Sequence, residues 1–257
     1  MTPDGEETSA LLSRLPGVQA FDLELVRAEM RTPAMRRLRF TGPGIDTLEF
    51  FAGQDLMVAV PAPGHAHFRR RYTIRKLQPE TSAVELEVVL HGDGPGAVWA
   101  GSVEPGQRVE ALGPRGKIGV AADAAWHLFC GDESALPAIF TMVEALPEAA
   151  RAEVVLEVAG EEEHQHPEGV RAELGVCWVH RKGDPGTGTG LQEALGSLPL
   201  PSGAGHAYVF GELRQVAACR SLLIERGIRP DDIDHKAYWR RGVANAPHGE
   251  PQRPDPS

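Results

Sequence analysis

Arg70-Arg71-Tyr72-Thr73-Ile74-Arg75 closes a strand-rich stretch of the chain. Guanidinium, phenol and hydroxyl groups at this spacing can grip a dinucleotide's phosphate, lie against an aromatic ring system and hydrogen-bond its edge, which points to a flavin. An extended strand with one polar face carries the same residues, so the flanking sequence has to separate the two readings. Downstream comes His91-Gly92-Asp93-Gly94-Pro95-Gly96-Ala97-Val98-Trp99-Ala100, a small-residue turn opening a short helix. Glycines let backbone N–H groups approach an anion, and a helix N-terminus adds partial positive charge. Asp93-Gly94-Pro95 also makes an ordinary turn, although such a turn needs neither His91 before it nor Trp99 after it.

Around this stretch, strand-like runs at Ala20–Arg27, Met35–Thr41, Asp55–Val60, Arg71–Lys76, Val84–Leu90 and Gln107–Leu112 are punctuated by Gly and Pro. The pattern predicts a small closed antiparallel barrel, ending in a turn at Gly113-Pro114-Arg115-Gly116. Beyond Asp123 strands and helices alternate: strands at Trp126–Cys130, Arg151–Ala159, Gly175–Arg181 and Ala207–Phe210, and helices at Leu136–Leu146, Gly190–Ser197 and Arg214–Arg226. That alternation predicts an open α/β sheet with its ligand at the C-terminal strand ends, near Gly131–Ser134 and Gly211-Glu212. The expected domains are a barrel over 18–120 and an α/β unit with a C-terminal cap over 123–245, followed by a disordered, Pro-rich tail over 246–257.

A barrel followed by a small α/β domain suits one cofactor from each side. Neither half has a Gly-x-Gly-x-x-Gly fingerprint. The nearest substitute, Gly131 through Ile139, is too acidic to hold a pyrophosphate by charge, but its N–H groups suit a border to a flavin–nicotinamide contact. Alternatively, Asp132 or Ser134 caps the helix that follows.

Composition excludes several classes. The 257 residues include 36 acidic and 26 basic side chains, a formal net charge of -10, which disfavours nucleic acid. No window approaches 18 apolar residues, and the N-terminus lacks the basic and apolar regions of a signal peptide; the expectation is a soluble, cytoplasmic protein with no membrane insertion. Cys130, Cys177 and Cys219 read as buried small hydrophobes. The pairs His65/His67 and His164/His166 read as solvated loop residues, so no metal site is expected.

In six stretches the chain resembles the siderophore-interacting proteins, flavin-dependent ferric-siderophore reductases of the ferredoxin-NADP reductase-like superfamily. They are Arg70–Arg75, His91–Ala100, Gly113–Gly116, Gly131–Ile139, Tyr208–Glu212 and Tyr238–Gly242, in the family's order, and the resemblance covers Ala20 to Gly242. It implies a ferredoxin-reductase-like fold, with a non-covalent FAD in an N-terminal antiparallel β-barrel and a small α/β nucleotide-binding domain behind it. Arg70, Tyr72 and Thr73 would hold the flavin ring and phosphates, with Arg75 nearby. His91, Gly94, Pro95, Gly96, Ala97 and Trp99 would line the pyrophosphate and adenine side, and Asp132, Glu133 and Trp239 complete the cofactor-binding set. One departure falls at Ala97-Val98, where relatives often carry a hydroxyl and a polar residue; a lost phosphate hydrogen bond there costs about 1 kcal/mol.

The implied reaction passes electrons from NADH or NADPH to an iron(III)-siderophore. The flavin carries the redox chemistry, so no catalytic side chain is required. Ferric catecholate complexes are anionic, and an acidic protein needs a local basic pocket for them, to which Arg115 and Arg240 are assigned. Glu161, Glu162 and Glu163 favour NADH, because carboxylates repel a 2′-phosphate and one can bond a free ribose diol. A solvated charge run is the other reading of that loop, and His180-Arg181-Lys182 offers a phosphate partner instead. A general NAD(P)H-flavin or quinone reductase and a non-catalytic siderophore-binding protein are the alternative functions. A monomer is sufficient for the proposed chemistry.

Overall fold

A computed structural model describes residues 17–62 and 65–243; the expected tail at 246–257 lies outside the described residues. The chain forms two compact units, the first ending at Gly119 and the second beginning at Val120.

Six antiparallel strands build the first unit: β1 (Gln19–Thr32), β2 (Met35–Thr41), β3 (Asp55–Ala62), β4 (His65–Gln78), β5 (Ala83–Val89) and β6 (Arg108–Arg115). They close in the order β1-β2-β5-β4-β3-β6, with β6 pairing both β1 and β3, so the sheet has no free edge. Side chains alternate across each strand, and Phe21, Leu23, Leu25, Leu56, Val58, Val60, Val84, Leu86 and Val88 meet in one core. Helix α1 (Pro95–Ser102) contributes Trp99 and Ala100 to that core. Three boundaries differ from the sequence expectation. Strand β1 runs on to Thr32, because bulges between Leu25/Arg27 and Met30/Thr32 disrupt the alternation that would reveal it. Strand β4 begins at His65. The stretch expected as a turn at Gly113–Gly116 is ladder as far as Arg115, where Gly113 pairs Gln19 and Arg115 pairs Asp55.

The second unit is an all-parallel sheet, β11-β10-β7-β8-β9, built from β7 (Trp126–Asp132), β8 (Arg151–Val158), β9 (Glu173–His180), β10 (Gly205–Glu212) and β11 (Ile233–Trp239). Its helices are α2 (Leu136–Glu144), α3 (Gly190–Ser197) and α4 (Leu213–Glu225). Every residue of central β7 is buried, as a strand covered on both faces requires. The chain runs outward from β7 through β8 to β9, then returns to the other side of β7 as β10 and β11. Strand order therefore reverses between β7 and β10, the kind of switch point at which open α/β sheets take ligands. Strand β11 was not expected: its polar run Asp234-His235-Lys236 hides a parallel strand paired to β10. Cys130 and Cys219 are buried as expected, but Cys177 is exposed, because it sits on β9, the sheet's edge. Among the described residues, no helix is long and apolar enough to cross a membrane.

Candidate functional site

In the barrel unit, four cationic side chains near the Arg70–Arg75 run have different surroundings. Arg71 makes a two-pronged ion pair with Asp55, Nε–Oδ1 and Nη2–Oδ2 both at 2.7 Å, which ties β4 to β3. Arg75 is 5 % exposed and lies with its Nε 3.5 Å from Glu87 Oε2. The same carboxylate receives Arg37, whose Nη2 donates to Oε1 at 2.6 Å. Arg75 thus belongs to an ion-pair network across β2, β4 and β5, a role the sequence reading did not foresee because it depends on cross-strand register. Arg70 differs from all of these. Its Nη1 donates only to the Arg69 carbonyl, at 2.9 Å, its guanidinium lies 5.4 Å from the Phe68 ring centre, and no carboxylate pairs with it among the described residues. Burial holds its pKa below the ordinary arginine value, with Tyr72 opposing the shift.

Tyr72, two residues on and on the same face of β4, stacks on Trp99 at 5.9 Å. Its phenolic oxygen is buried and finds no hydrogen-bond partner among the described residues. Burial pushes its pKa up, against the pull of the Arg70 charge. Leaving such a group unpaired costs about 1–3 kcal/mol, so a ligand atom that pairs with it recovers that cost. Gly96, in the first turn of α1, touches both side chains: a Cβ there would stand 2.6 Å from Tyr72 Oη and 3.3 Å from Arg70 Cγ. The helix N-terminus therefore lies directly against Arg70 and Tyr72, and no side chain caps it. An unpaired guanidinium, an unsatisfied phenol and an uncapped helix start fit the phosphates and ring of a flavin dinucleotide. Thr73 is buried and alternates to the opposite face. His91 and Ala97 are half-buried and Gly94 is exposed, with Pro95 starting the helix. Trp99 is buried in the barrel core beneath Tyr72, where it also stacks on Phe40 at 6.3 Å.

Arg115 is half-buried, with its Nη1 3.1 Å from Met57 Sδ. It stands near Arg69: burial and the Arg115 charge lower the Arg69 pKa, while Glu110 opposes them. Arg69 is thus a second cation beside Arg115, brought there by the barrel although β4 and β6 are not adjacent in the chain.

In the α/β unit the C-terminal strand ends converge on Asp132. Its Oδ1 accepts from Ser134 N at 2.9 Å and Ser134 Oγ at 2.5 Å; its Oδ2 accepts from Glu212 N and Trp239 Nε1, both at 2.9 Å. Gly211 makes room for this, since its φ is 131° and a Cβ there would lie 2.6 Å from Asp132 Oδ2. The expected helix cap is corrected accordingly. Helix α2 starts behind Ala135 with no side-chain cap, and the Asp132 carboxylate instead fastens the ends of β7, β10 and β11. Both oxygens are committed, and Trp239 shares in the same tie. Glu133 is buried, with Arg181 Nη1 donating to its Oε2 at 2.6 Å, while Oε1 has no hydrogen-bond partner among the described residues. Burial and then the Asp132 charge raise its pKa, with Arg181 opposing. Glu157, also buried, accepts from Gln215 Nε2 at 3.2 Å, and burial raises its pKa too. Arg240 is exposed. Beyond β8, Glu161 and Glu162 are exposed whereas Glu163 is buried. The expectation of a solvated His164 is corrected: its Nε2 lies 2.8 Å from Nε2 of His180 and its ring stacks on Trp178.

Comparison with known proteins agrees with both units. Residues 54–118 match the family described as "Siderophore-interacting FAD-binding domain", and residues 124–242 match "Siderophore-interacting protein". The ferric vibriobactin reductase ViuB of Vibrio cholerae is 36 % identical over 188 residues, covering 70 % of this chain and 67 % of that protein. A siderophore utilization protein from T. fusca has a similar crystal structure, with TM-score 0.80 and 32 % identity over 90 % of this chain and 97 % of that one. The siderophore-interacting protein SipS from Aeromonas hydrophila follows at TM-score 0.77 and 28 % identity, over 89 % and 94 % of the two chains. With barrel, parallel sheet and both sequence signatures in agreement, this chain belongs to the siderophore-interacting protein family of the FAD-binding, ferredoxin-reductase-like superfamily.

Proposed function

We propose that the protein is an FAD-dependent reductase that oxidises NADH and reduces iron(III)-siderophore complexes, releasing iron(II). The observation that carries this reading is Arg70, a half-buried cation without an acidic partner, set against an uncapped helix start and an unsatisfied Tyr72 phenol. The name of the Vibrio relative, a ferric vibriobactin reductase, supports a ferric acceptor. One NADH and two iron(III) complexes give NAD⁺, a proton and two iron(II) centres. Bound FAD supplies the conversion of a two-electron donor into one-electron steps. The chain's own residues bind and orient: Arg70 and the first turn of α1 hold phosphate, Tyr72 meets the ring system, and Arg75 braces β4 through Glu87. Iron(II), a softer match to hard oxygen ligands, then leaves the siderophore. The proposal assigns residues 18–120 to the flavin and 123–245, described as far as Val243, to the nicotinamide. Dependence on NADH suits the cytoplasm, and a monomer is sufficient for the chemistry.

For the donor, the proposal is NADH. Glu161 and Glu162 stand exposed after β8, and of the two nearby cations that could receive a 2′-phosphate Arg181 is held by Glu133, which leaves exposed Lys182. The expected kcat/KM for NADH exceeds that for NADPH by about tenfold, a difference of ~1.4 kcal/mol. A higher value with NADPH would overturn the charge argument.

For the acceptor, Arg115 and Arg240 are proposed to attract an anionic ferric catecholate, with Arg69 adding charge beside Arg115. Anaerobic stopped-flow spectroscopy separates the steps: NADH bleaches the yellow protein and a ferric complex recolours it. Replacing both Arg115 and Arg240 by Ala should slow recolouring by about tenfold at low salt and leave bleaching nearly unchanged, since steering charges act on encounter rates. Raising ionic strength should slow the parent's recolouring in the same direction. Parent-like recolouring by the double variant would place the acceptor site elsewhere. A protein bleached by NADH but recoloured only by free flavin or quinone would be a general reductase, and one never bleached would be a binding protein.

A further inference from the structure

His164 and His180 reach the same point from different elements. His164 follows the 3-10 turn Glu161–Glu163, its N–H donating to the Glu161 carbonyl at 3.1 Å, and His180 ends β9. The next residue after His180 is anchored as well, since Arg181 N donates to Val158 O at 3.0 Å. The two Nε2 atoms are 2.8 Å apart and the ring centres 5.0 Å apart, and His180 is exposed. The His164 ring is seated on Trp178, 4.4 Å between centres and 15° between planes. As a hydrogen bond, the pair needs one ring to donate from Nε2 and the other, a neutral ring, to accept there.

The same two nitrogens form a metal chelate. With metal–nitrogen bonds of 2.0–2.1 Å, ligands at a right angle stand about 2.9 Å apart and tetrahedral ones about 3.4 Å apart. The separation in this protein matches the right-angled arrangement, which square-planar or octahedral ions adopt in preference to zinc. We propose that His164 and His180 form a two-imidazole site for a divalent first-row transition ion of the Ni²⁺ or Cu²⁺ class, with water at its remaining positions. On binding, the ring that donated moves its proton from Nε2 to Nδ1, so both imidazoles stay neutral and both Nε2 lone pairs face the ion. Small rotations of the two rings complete the chelate, and the Trp178 indole beneath His164 reports it.

The test is calorimetric titration of the untagged, flavin-loaded protein with NiCl₂, with tryptophan emission followed in parallel. One saturable site per chain is expected, binding Ni²⁺ more tightly than Zn²⁺. The variants His164→Ala and His180→Ala should each weaken it by about tenfold or more, the scale on which metal affinity responds to changes at and around its ligands. Trp178→Phe should keep the calorimetric site while losing the emission change. Circular dichroism of each variant checks the fold, and binding is read whether or not the protein turns over NADH. Parent-like Ni²⁺ affinity in the folded His164/His180 double variant, or no saturable site in the parent, would overturn the proposal.

Discussion

The Asp132→Ala protein is expected to lose about 3–5 kcal/mol of unfolding free energy, because four buried or half-buried donors, the Ser134 hydroxyl included, lose their acceptor at once. Those donors are the Ser134 and Glu212 amides and the Trp239 indole, with the Ser134 hydroxyl as a fourth. For a chain of this size the melting temperature should fall by about 10 °C. Urea unfolding followed by circular dichroism measures the effect, and a loss under 1 kcal/mol would show that the tie is replaceable. Asp132→Asn separates stability from cofactor contact. It keeps one acceptor oxygen but turns an amide NH₂ toward donors, so an intermediate loss is expected. If that variant keeps the parent's stability yet reacts poorly with NADH, the residue touches the cofactor as the sequence suggested.

Arg70→Ala should have the opposite profile, little change in the stability of the flavin-free protein and a large loss of FAD affinity. Hydrogen bonds to a charged group contribute about 1.5–3 kcal/mol, which corresponds to roughly a 10- to 150-fold weaker dissociation constant. Stability should hold because Arg70 has no acidic partner to strand among the described residues. Arg71→Ala is the internal contrast, since it takes both guanidinium contacts away from the buried Asp55 carboxylate and should destabilise the barrel. Arg70→Lys should recover part of the binding, as a point charge without the guanidinium fork. Fluorescence titration with FAD decides the matter, and equal affinity in Arg70→Ala would remove Arg70 from the flavin site.

Much of this architecture was legible in the chain because its cues are local. Alternation marks Leu23 and Leu25 or Val84 and Leu86 as one face of a strand, and Gly190–Ser197 carries its own helical spacing. What stayed hidden depends on partners far along the sequence. Nothing near Asp132 announces that its acceptors' load comes from residues 80 and 107 positions away. The separate fates of Arg70, Arg71 and Arg75 follow from which acid each meets across the ladder, a matter of register rather than composition. Strand β11 escaped notice because polar side chains interrupt its pattern, and the partner that satisfies one of them is remote: His206 and Asp234 hydrogen-bond at 2.9 Å. The exposed thiol of Cys177 follows from β9 being last in the sheet, which its apolar neighbours do not reveal.

The strand order also sets different timetables for the two units during synthesis. The barrel has all its strands once Arg115 has been made, when β6 can join β1 to β3. The sheet of the second unit cannot finish so soon. Its central strand β7 is made first, but the neighbour on one flank, β10, begins only at Gly205, and β11 ends at Trp239. At translation rates of about 5–20 residues per second, β7 keeps one unpaired apolar edge for several seconds or more, an interval open to mispairing. Throughout that interval Asp132 Oδ2 waits for Glu212 and Trp239. A chain stopped just before Trp239 would keep every strand of the barrel and leave that carboxylate oxygen only partly satisfied.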